Sequence, residues 1–259
     1  MTENVTPVIL IQHLYAGYEQ ETILEDVNLE VYAGDFIGVI GPNGGGKSTL
    51  LKVILGLLPQ QSGEVRVMGL DVRQGRTHIG YVPQFVEADR AFPISVWDTV
   101  GMGVLTGWKP FRRFSTQDNA KIEDALSVVG MLHLREKVMG ELSGGQRKRV
   151  FIARALVSDP RILLLDEPTA SVDPNATSEV YELLSRLNQC MAILLVSHDM
   201  MAISSFTKTV ACLNRRLIYH RSKELTPEML ERVYGCPVDL IAHGVPHRVF
   251  PVHQEANHG

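Results

Sequence analysis

Gly41-Pro42-Asn43-Gly44-Gly45-Gly46-Lys47-Ser48-Thr49 is the stretch that decides the fold. It fits the spacing G-x-x-x-x-G-K-[ST] of a phosphate-binding P-loop. The flanks supply the context that spacing needs. Asp35 to Ile40 is a short apolar run that reads as a buried strand, and Leu50 to Leu58 reads as a helix. Glycines let the backbone curl so that successive N–H groups point inward and cradle phosphate oxygens. The helix that follows adds the positive end of its dipole. Lys47 can then reach β- and γ-phosphates, and the Ser48 hydroxyl can ligate Mg²⁺. A glycine-rich turn that binds nothing leaves the agreement of strand, loop, Lys-Ser and helix unexplained. No G-x-G-x-x-G is present, so this is not a dinucleotide fingerprint.

The bulk composition is that of an ordinary globular chain. Its 259 residues suit one large domain or two small ones. At 45% hydrophobic and 21% charged, it can bury a sizeable core. The net charge of −4 argues against broad nucleic-acid binding. Cys190, Cys212 and Cys236 are far apart and odd in number, so they read as reduced, packing cysteines. Residues Met1 to Pro7 lack the basic and apolar regions of a signal peptide. No apolar run approaches the roughly 18 to 20 residues that span a bilayer, so a role in transport would need another chain for the membrane path.

Upstream of the P-loop the chain is rich in strands. Val8 to Leu14 is apolar, Tyr15 to Tyr18 reads as a turn, and Ile23 to Val31 alternates as a half-exposed strand. Downstream, Pro59 to Gly63 turns, Glu64 to Met68 alternates, and Ile79 to Gln84 is a strand ended by Pro83. From about 86 to 158 the pattern becomes mostly helical, with a helix opened by Ser95, an amphipathic one over Thr116–Val129 and a third over Arg147–Val157. The α/β pattern then resumes: a strand at Ile162–Leu165, a helix at Asn175–Asn188, a strand at Met191–Val196, a short helix at Met200–Phe206, and a hairpin around Asn214-Arg215. The reading is α/β: a P-loop core with an antiparallel β subdomain and an inserted α-helical subdomain. It divides the chain into a domain at 1–238 and a His-containing tail at 239–259.

Two further stretches carry chemistry. Arg161-Ile-Leu-Leu-Leu-Asp166-Glu167 is an apolar strand ending in two acids. Asp166 would emerge at the strand's C-terminal edge, where ligands bind in α/β sheets, and hold Mg²⁺ directly or through water. Glu167 beside it could accept a proton from an attacking water. Two solvated acids at a strand end are the bland alternative, and the P-loop weighs against it. Leu142-Ser143-Gly144-Gly145-Gln146 opens a helix and exposes N–H groups for an anion. By its chemistry alone it could equally be an ordinary helix N-cap.

LSGGQ also resembles the signature of ABC-type ATPases, and the other motifs follow that family's order over about residues 8 to 235. The resemblance implies ATP and Mg²⁺ as cofactors. It implies a second copy of the chain, because in that family each P-loop faces the other domain's signature, here Ser143, Gly144, Gly145 and Gln146. It places Tyr18 where an aromatic stacks on adenine, although a strand-end tyrosine is the plain alternative. Gln84 resembles the Q-loop glutamine that senses Mg²⁺ and the γ-phosphate, and Ser171-Val172-Asp173 resembles the loop that reaches across the dimer. His198 resembles the switch histidine on the γ-phosphate. With Glu167 and Lys47 these complete the catalytic set. Gly45 stands where the family more often has Ala, and Arg147-Lys148-Arg149 is more basic than usual.

Asp89 to Val96, Tyr234 to Pro237 and His243 to Val249 resemble the branch that drives bacterial zinc and manganese uptake. That implies an ATP-hydrolysing subunit at the cytoplasmic face of the inner membrane, a separate membrane permease and, indirectly, an extracytoplasmic metal-binding protein. The alternatives are an importer ATPase for iron chelates or another small nutrient, or a soluble ABC ATPase without a permease. Soluble members usually carry two fused halves or long coiled coils, which are missing from this sequence. His243, His247, His253 and His258 could bind the transported metal, since imidazole is a common Zn²⁺ ligand. A solvated terminal segment is the alternative.

Overall fold

The computed structural model describes residues 6–84, 93–104, 114–169, 173–198, 203 and 205–219. The chain opens with two long antiparallel strands, β1 (Ile9–Tyr18) and β2 (Glu21–Val31). The turn expected at Tyr15–Tyr18 does not form, and β1 continues through it. The ladder absorbs the mismatch as bulges, with register shifts at three places between Ile11 and Gly17, and His13 takes a left-handed φ of 48°.

β3 (Phe36–Ile40) follows, and its five residues are all buried. The P-loop leads into α1 (Lys47–Ile54). The sequence predicts this helix over 50–58; it starts and stops earlier. At its end Gly56 has a φ of 66°. The Leu57 and Gly56 N–H groups donate back to the Lys52 and Val53 carbonyls at 2.8 and 2.9 Å. That glycine-terminated pattern satisfies the helix's last carbonyls and ends it.

β4 (Ser62–Val67), β5 (Leu70–Asp71), the single turn α2 (Val72–Gly75) and β6 (Ile79–Val82) come next. β5 and α2 are too short to show a period, and the sequence does not reveal them. Among the described residues between β6 and β7 (Ile162–Asp166) lie three α-helices: α3 (Val96–Gly101), α4 (Thr116–Val128) and α5 (Gly144–Leu156). Ser95, Ser115 and Ser143 cap them through their side chains. The chain then runs through α6 (Pro174–Leu187), β8 (Ala192–Val196) and the hairpin β9 (Thr209–Asn214) and β10 (Arg216–Tyr219). Arg215 turns that hairpin with a φ of 58°. Of the helix predicted at Met200–Phe206, residues 203, 205 and 206 are described, and all three are helical. The tail histidines, Cys236, Ser171 and Val172 lie outside the described residues.

The strands form two sheets. One is antiparallel with order β2-β1-β4-β5, and the other has order β10-β9-β3-β8-β7-β6. In the second sheet β9, β3, β8, β7 and β6 are parallel, and β10 is an antiparallel edge. Its side chains alternate between two cores. Phe36, Ile40, Leu163, Leu165, Ile193 and Leu195 pack with α3 to α6. Ile37, Val39, Ile162, Leu164, Leu194 and Val196 pack with α1 and the antiparallel sheet. Burial on both faces is why these strands read as unbroken apolar runs. Cys212 packs inside β9, but Cys190 is exposed, which corrects the expectation that it is a packing residue. It follows the end of α6, where the chain turns at the surface towards β8.

Candidate functional site

β3, β8, β7 and β6 are consecutive neighbours, all parallel. Their C-terminal ends therefore line up along one edge of the sheet. β3 ends in the P-loop, β8 in Ser197-His198, β7 in Asp166-Glu167, and β6 runs to Gln84. Four stretches far apart in sequence meet there because parallel strands expose like ends together. A cavity of about 510 Å³ opens at this edge. Tyr18, Ile23, Asn43, Gly44, Gly46, Lys47, Ser48, Thr49, Gln84, Asp166 and Glu167 line it.

The loop is held in shape by its own lysine. Lys47 is buried, and its Nζ donates to the Gly41 and Pro42 carbonyls at 2.7 and 2.9 Å. Burial pushes its pKa below the usual lysine value, while Glu167 and Asp166 pull it back up. Gly46 caps α1 in a left-handed conformation with no side-chain cap, which leaves the first N–H groups of that helix open towards the cavity. Two glycines also serve packing. A β-carbon at Gly41 would sit 1.9 Å from the Leu213 carbonyl, and one at Gly45 3.0 Å from it. Arg215 N–H donates to the Gly45 carbonyl at 3.1 Å. The loop thus leans on the β9–β10 turn, and Gly45 is more than an interchangeable small residue.

Asp166 is buried and its Oδ1 has no hydrogen-bond partner. Burial pushes its pKa up; the Ser48 hydroxyl bonded to it and the charges of Lys47, Lys52 and Lys148 pull it down. An orphaned carboxylate oxygen beside a serine hydroxyl fits a hard divalent cation such as Mg²⁺, which takes oxygen ligands. Glu167 is also buried, has a left-handed φ of 48°, and donates its N–H to the Val196 carbonyl at 2.8 Å. Such a backbone costs of order 1 kcal/mol in a non-glycine residue and clusters at functional sites. His198 Nδ1 lies 2.6 Å from Glu167 Oε2, which brings His198 to the cavity through Glu167.

Tyr18 is exposed at the rim. Its hydroxyl accepts from Lys52 Nζ at 3.0 Å, and this contact holds the phenol below its ordinary pKa. Gln84 lines the cavity, and its carbonyl accepts from Lys148 Nζ at 3.0 Å. Ser143, Gly144, Gly145, Gln146 and Asp173 are not brought into the cavity. Ser143 and Gln146 form a reciprocal capping box on α5, at 3.0 and 3.2 Å. Asp173 caps α6, its Oδ1 accepting from Ala176 N–H at 3.0 Å.

Lys52, Lys148 and Ile23 belong to the site but escape the sequence reading. Lys52 has no motif and merely faces Tyr18 from α1. Lys148 shows only as excess basicity after LSGGQ, because its reach to Gln84 crosses 64 positions.

Comparison with known proteins decides the family. Residues 24–170 match the model of the family described as ABC transporter. The chain belongs to the ATP-binding family of ABC transporters. It is 41% identical over 220 residues to the zinc uptake system ATP-binding protein ZurA of Listeria innocua, covering 83% of this chain and 86% of that one. It is 38% identical over 233 residues to the manganese transport system ATP-binding protein MntB of Halalkalibacterium halodurans, covering 89% and 93%. Among solved structures it resembles a chain assigned to a metal-chelate type ABC transporter in an inward-facing conformation, with a TM-score of 0.79, 30% identity and 90% of each chain covered. The ABC ATPase fold expected from the motifs is therefore the fold observed, and the chain is an ATPase whose hydrolysis is coupled to transport. Among the described residues no helix is long and apolar enough to cross a membrane.

Proposed function

We propose that this chain is the subunit whose ATP hydrolysis powers import of a divalent metal ion, zinc or manganese, through a separate membrane permease. One observation carries the chemistry: Lys47 and Ser48 face Asp166 and Glu167 across a single cavity. The ZurA and MntB relatives support the metal.

In this reading Tyr18 stacks on the adenine while the open N–H groups of the loop and α1 receive the phosphates. Lys47 exchanges its two carbonyl acceptors for phosphate oxygens, so its bonds to Gly41 and Pro42 mark a rest position. Ser48 and Asp166, with Gln84 at the cavity wall, would hold Mg²⁺, which when bound neutralises charge on the β- and γ-phosphate oxygens. Water attacks the γ-phosphate in line, Glu167 takes its proton, and the bond to the bridging oxygen breaks to release ADP and phosphate. His198 orients Glu167 through their 2.6 Å contact and in this reading also reaches the γ-phosphate.

Ser143, Gly144, Gly145 and Gln146 complete the site of a second copy, and Asp173 lies on the loop that reaches towards it. Their position outside their own chain's cavity supports that arrangement. Closing the pair moves α3–α5, the helical subdomain at about 86–158. The permease feels that motion at the cytoplasmic face of the inner membrane, and an extracytoplasmic metal-binding protein delivers the cargo.

Glu167→Gln tests the mechanism. It should bind ATP and dimerise, while turnover falls by roughly 10² to 10⁴; normal turnover removes Glu167 from the base role. Cells without the chain should lose zinc or manganese uptake. Loss of iron-chelate uptake instead would favour the second reading, which the metal-chelate neighbour supports.

A further inference from the structure

We propose that Arg215 is a positioning residue that holds the base-side wall of the cavity at a fixed reach from the phosphate loop, and so sets how much more tightly a nucleotide binds than its bare triphosphate. The inference rests on the reading of Tyr18 as the surface on which adenine stacks. The cavity has walls from different parts of the fold. Gly44, Gly46 and Lys47 come from the P-loop and the start of α1, whereas Tyr18 and Ile23 come from the β1–β2 hairpin of the antiparallel sheet. Arg215 lines neither wall. It sits in the β9–β10 turn and bonds to both. Its N–H donates to the Gly45 carbonyl at 3.1 Å, and its carbonyl accepts from the Glu25 N–H at 2.8 Å. Its guanidinium reaches β2 as well. Nε donates to Glu25 Oε1 at 2.9 Å, Nη2 lies 2.6 Å from the same oxygen, and Nη2 donates to the Thr22 carbonyl at 3.0 Å.

On β2 these bonds fall on either side of Ile23. Packing sets how close β2 and the loop can come, since a β-carbon at Gly46 would lie 2.6 Å from the Leu24 side chain and 3.3 Å from that of Ile23. Close packing limits approach, whereas a tie bonded to both sides limits separation. Lys52 makes a second link, but it ends on the Tyr18 hydroxyl and holds the tip of the ring rather than the strand. The residue type at 215 is informative. Its φ of 58° is strained for arginine, and glycine would adopt it freely. The two backbone bonds would survive that exchange, so they do not by themselves call for arginine. What the side chain adds is a planar fork that spans Thr22 and Glu25 at once, which a lysine's single ammonium matches less well. An exposed ion pair contributes little to stability. Its use here is to fix geometry in advance, and preorganisation is read out as affinity. Only a ligand that touches both walls gains from a fixed spacing between them.

The test is calorimetric titration of the full chain with two ligands, each with Mg²⁺: the non-hydrolysable adenosine β,γ-methylene triphosphate and inorganic tripolyphosphate. Arg215→Gly removes the fork and leaves the turn unstrained. It should weaken binding of the nucleotide analogue roughly threefold to tenfold, the cost of ordering one wall at binding rather than beforehand. Tripolyphosphate affinity should stay within about twofold of wild type, because the loop and Lys47 are untouched. Glu25→Ala should repeat that pattern, and it also removes the acid that lies 3.4 Å from Arg216 Nε. Glu25→Gln should fall between, since its amide oxygen still accepts. Equal losses for both ligands, or no loss for the analogue, overturn the proposal; a merely structural role gives one or the other. If Arg215→Gly does not fold, Arg215→Asn, whose side chain tolerates a positive φ, is judged by the same measure. Tyr18→Ala should lower affinity for the analogue alone. If it changes neither ligand, the stacking role of Tyr18 is overturned instead, so the two failures are distinguishable.

Discussion

Two glycine-rich turns open helices in this molecule, and they end differently. The P-loop enters α1 through Gly46, which offers no side-chain cap, so the helix's first N–H groups stay available. The Ser143-Gly144-Gly145-Gln146 turn enters α5 through a capping box that occupies the N–H groups of Ser143 and Gln146. The first turn is walled in by strand ends, a buried lysine and two acids. The second lines no part of that cavity. Similar composition therefore serves different states: one helix start lies open in a ligand-sized cavity, and the other has two of its N–H groups tied to its own side chains and lies outside that cavity. Such a contrast fits a site built from two copies.

The contrast can be broken most severely at Lys47. Lys47→Ala removes both the charge and the bonds that hold the loop, and ATP affinity, followed with a fluorescent nucleotide, should fall by about a hundredfold or more. A variant that binds normally would mean the open N–H groups suffice alone. A smaller loss is expected from Gly41→Ala. Its β-carbon would meet the Leu213 carbonyl at 1.9 Å, and backbone cannot step aside as a side chain can. We expect a destabilisation of about 2 to 4 kcal/mol in denaturant unfolding; an unchanged midpoint would show that the loop does not lean on β9. The mildest change is Ser143→Ala. Losing the cap should cost about 1 kcal/mol, or roughly 2 to 4 °C in the thermal midpoint of a chain this size. ATP binding to a single copy should be untouched while turnover falls. Weakened binding in the single copy would erase the distinction between the two turns.

Much of this was legible in one dimension. The P-loop, the Asp166-Glu167 strand end and the LSGGQ turn are local patterns; spacing located Lys47 and Ser48, while Asp166 needed the P-loop beside it and Ser143 the resemblance to the family's signature. Helix starts at Ser95 and Ser143 were readable because a cap acts over three residues. Other features were hidden for physical reasons. β1 passes its expected turn because bulges in a ladder depend on the facing strand. The early end of α1 follows from a glycine turn inside an apolar run that looks helical throughout. Lys148 and Arg215 matter through contacts with residues far away in sequence, to which no local period points.

By itself the sequence determined which groups of this protein carry chemistry suited to phosphate and metal, because charge, hydroxyl and glycine freedom are properties of single residues and short spacings. Only the tertiary structure decided how those groups meet. Parallel pairing of β3, β8, β7 and β6 brings four loops to one edge. Burial there leaves Asp166 Oδ1 without a partner. Packing against Leu213 explains two of the glycines. It also decided that Ser143 would lie outside its own chain's cavity. Each of these depends on chain segments far apart in sequence that become neighbours only when both cores have formed.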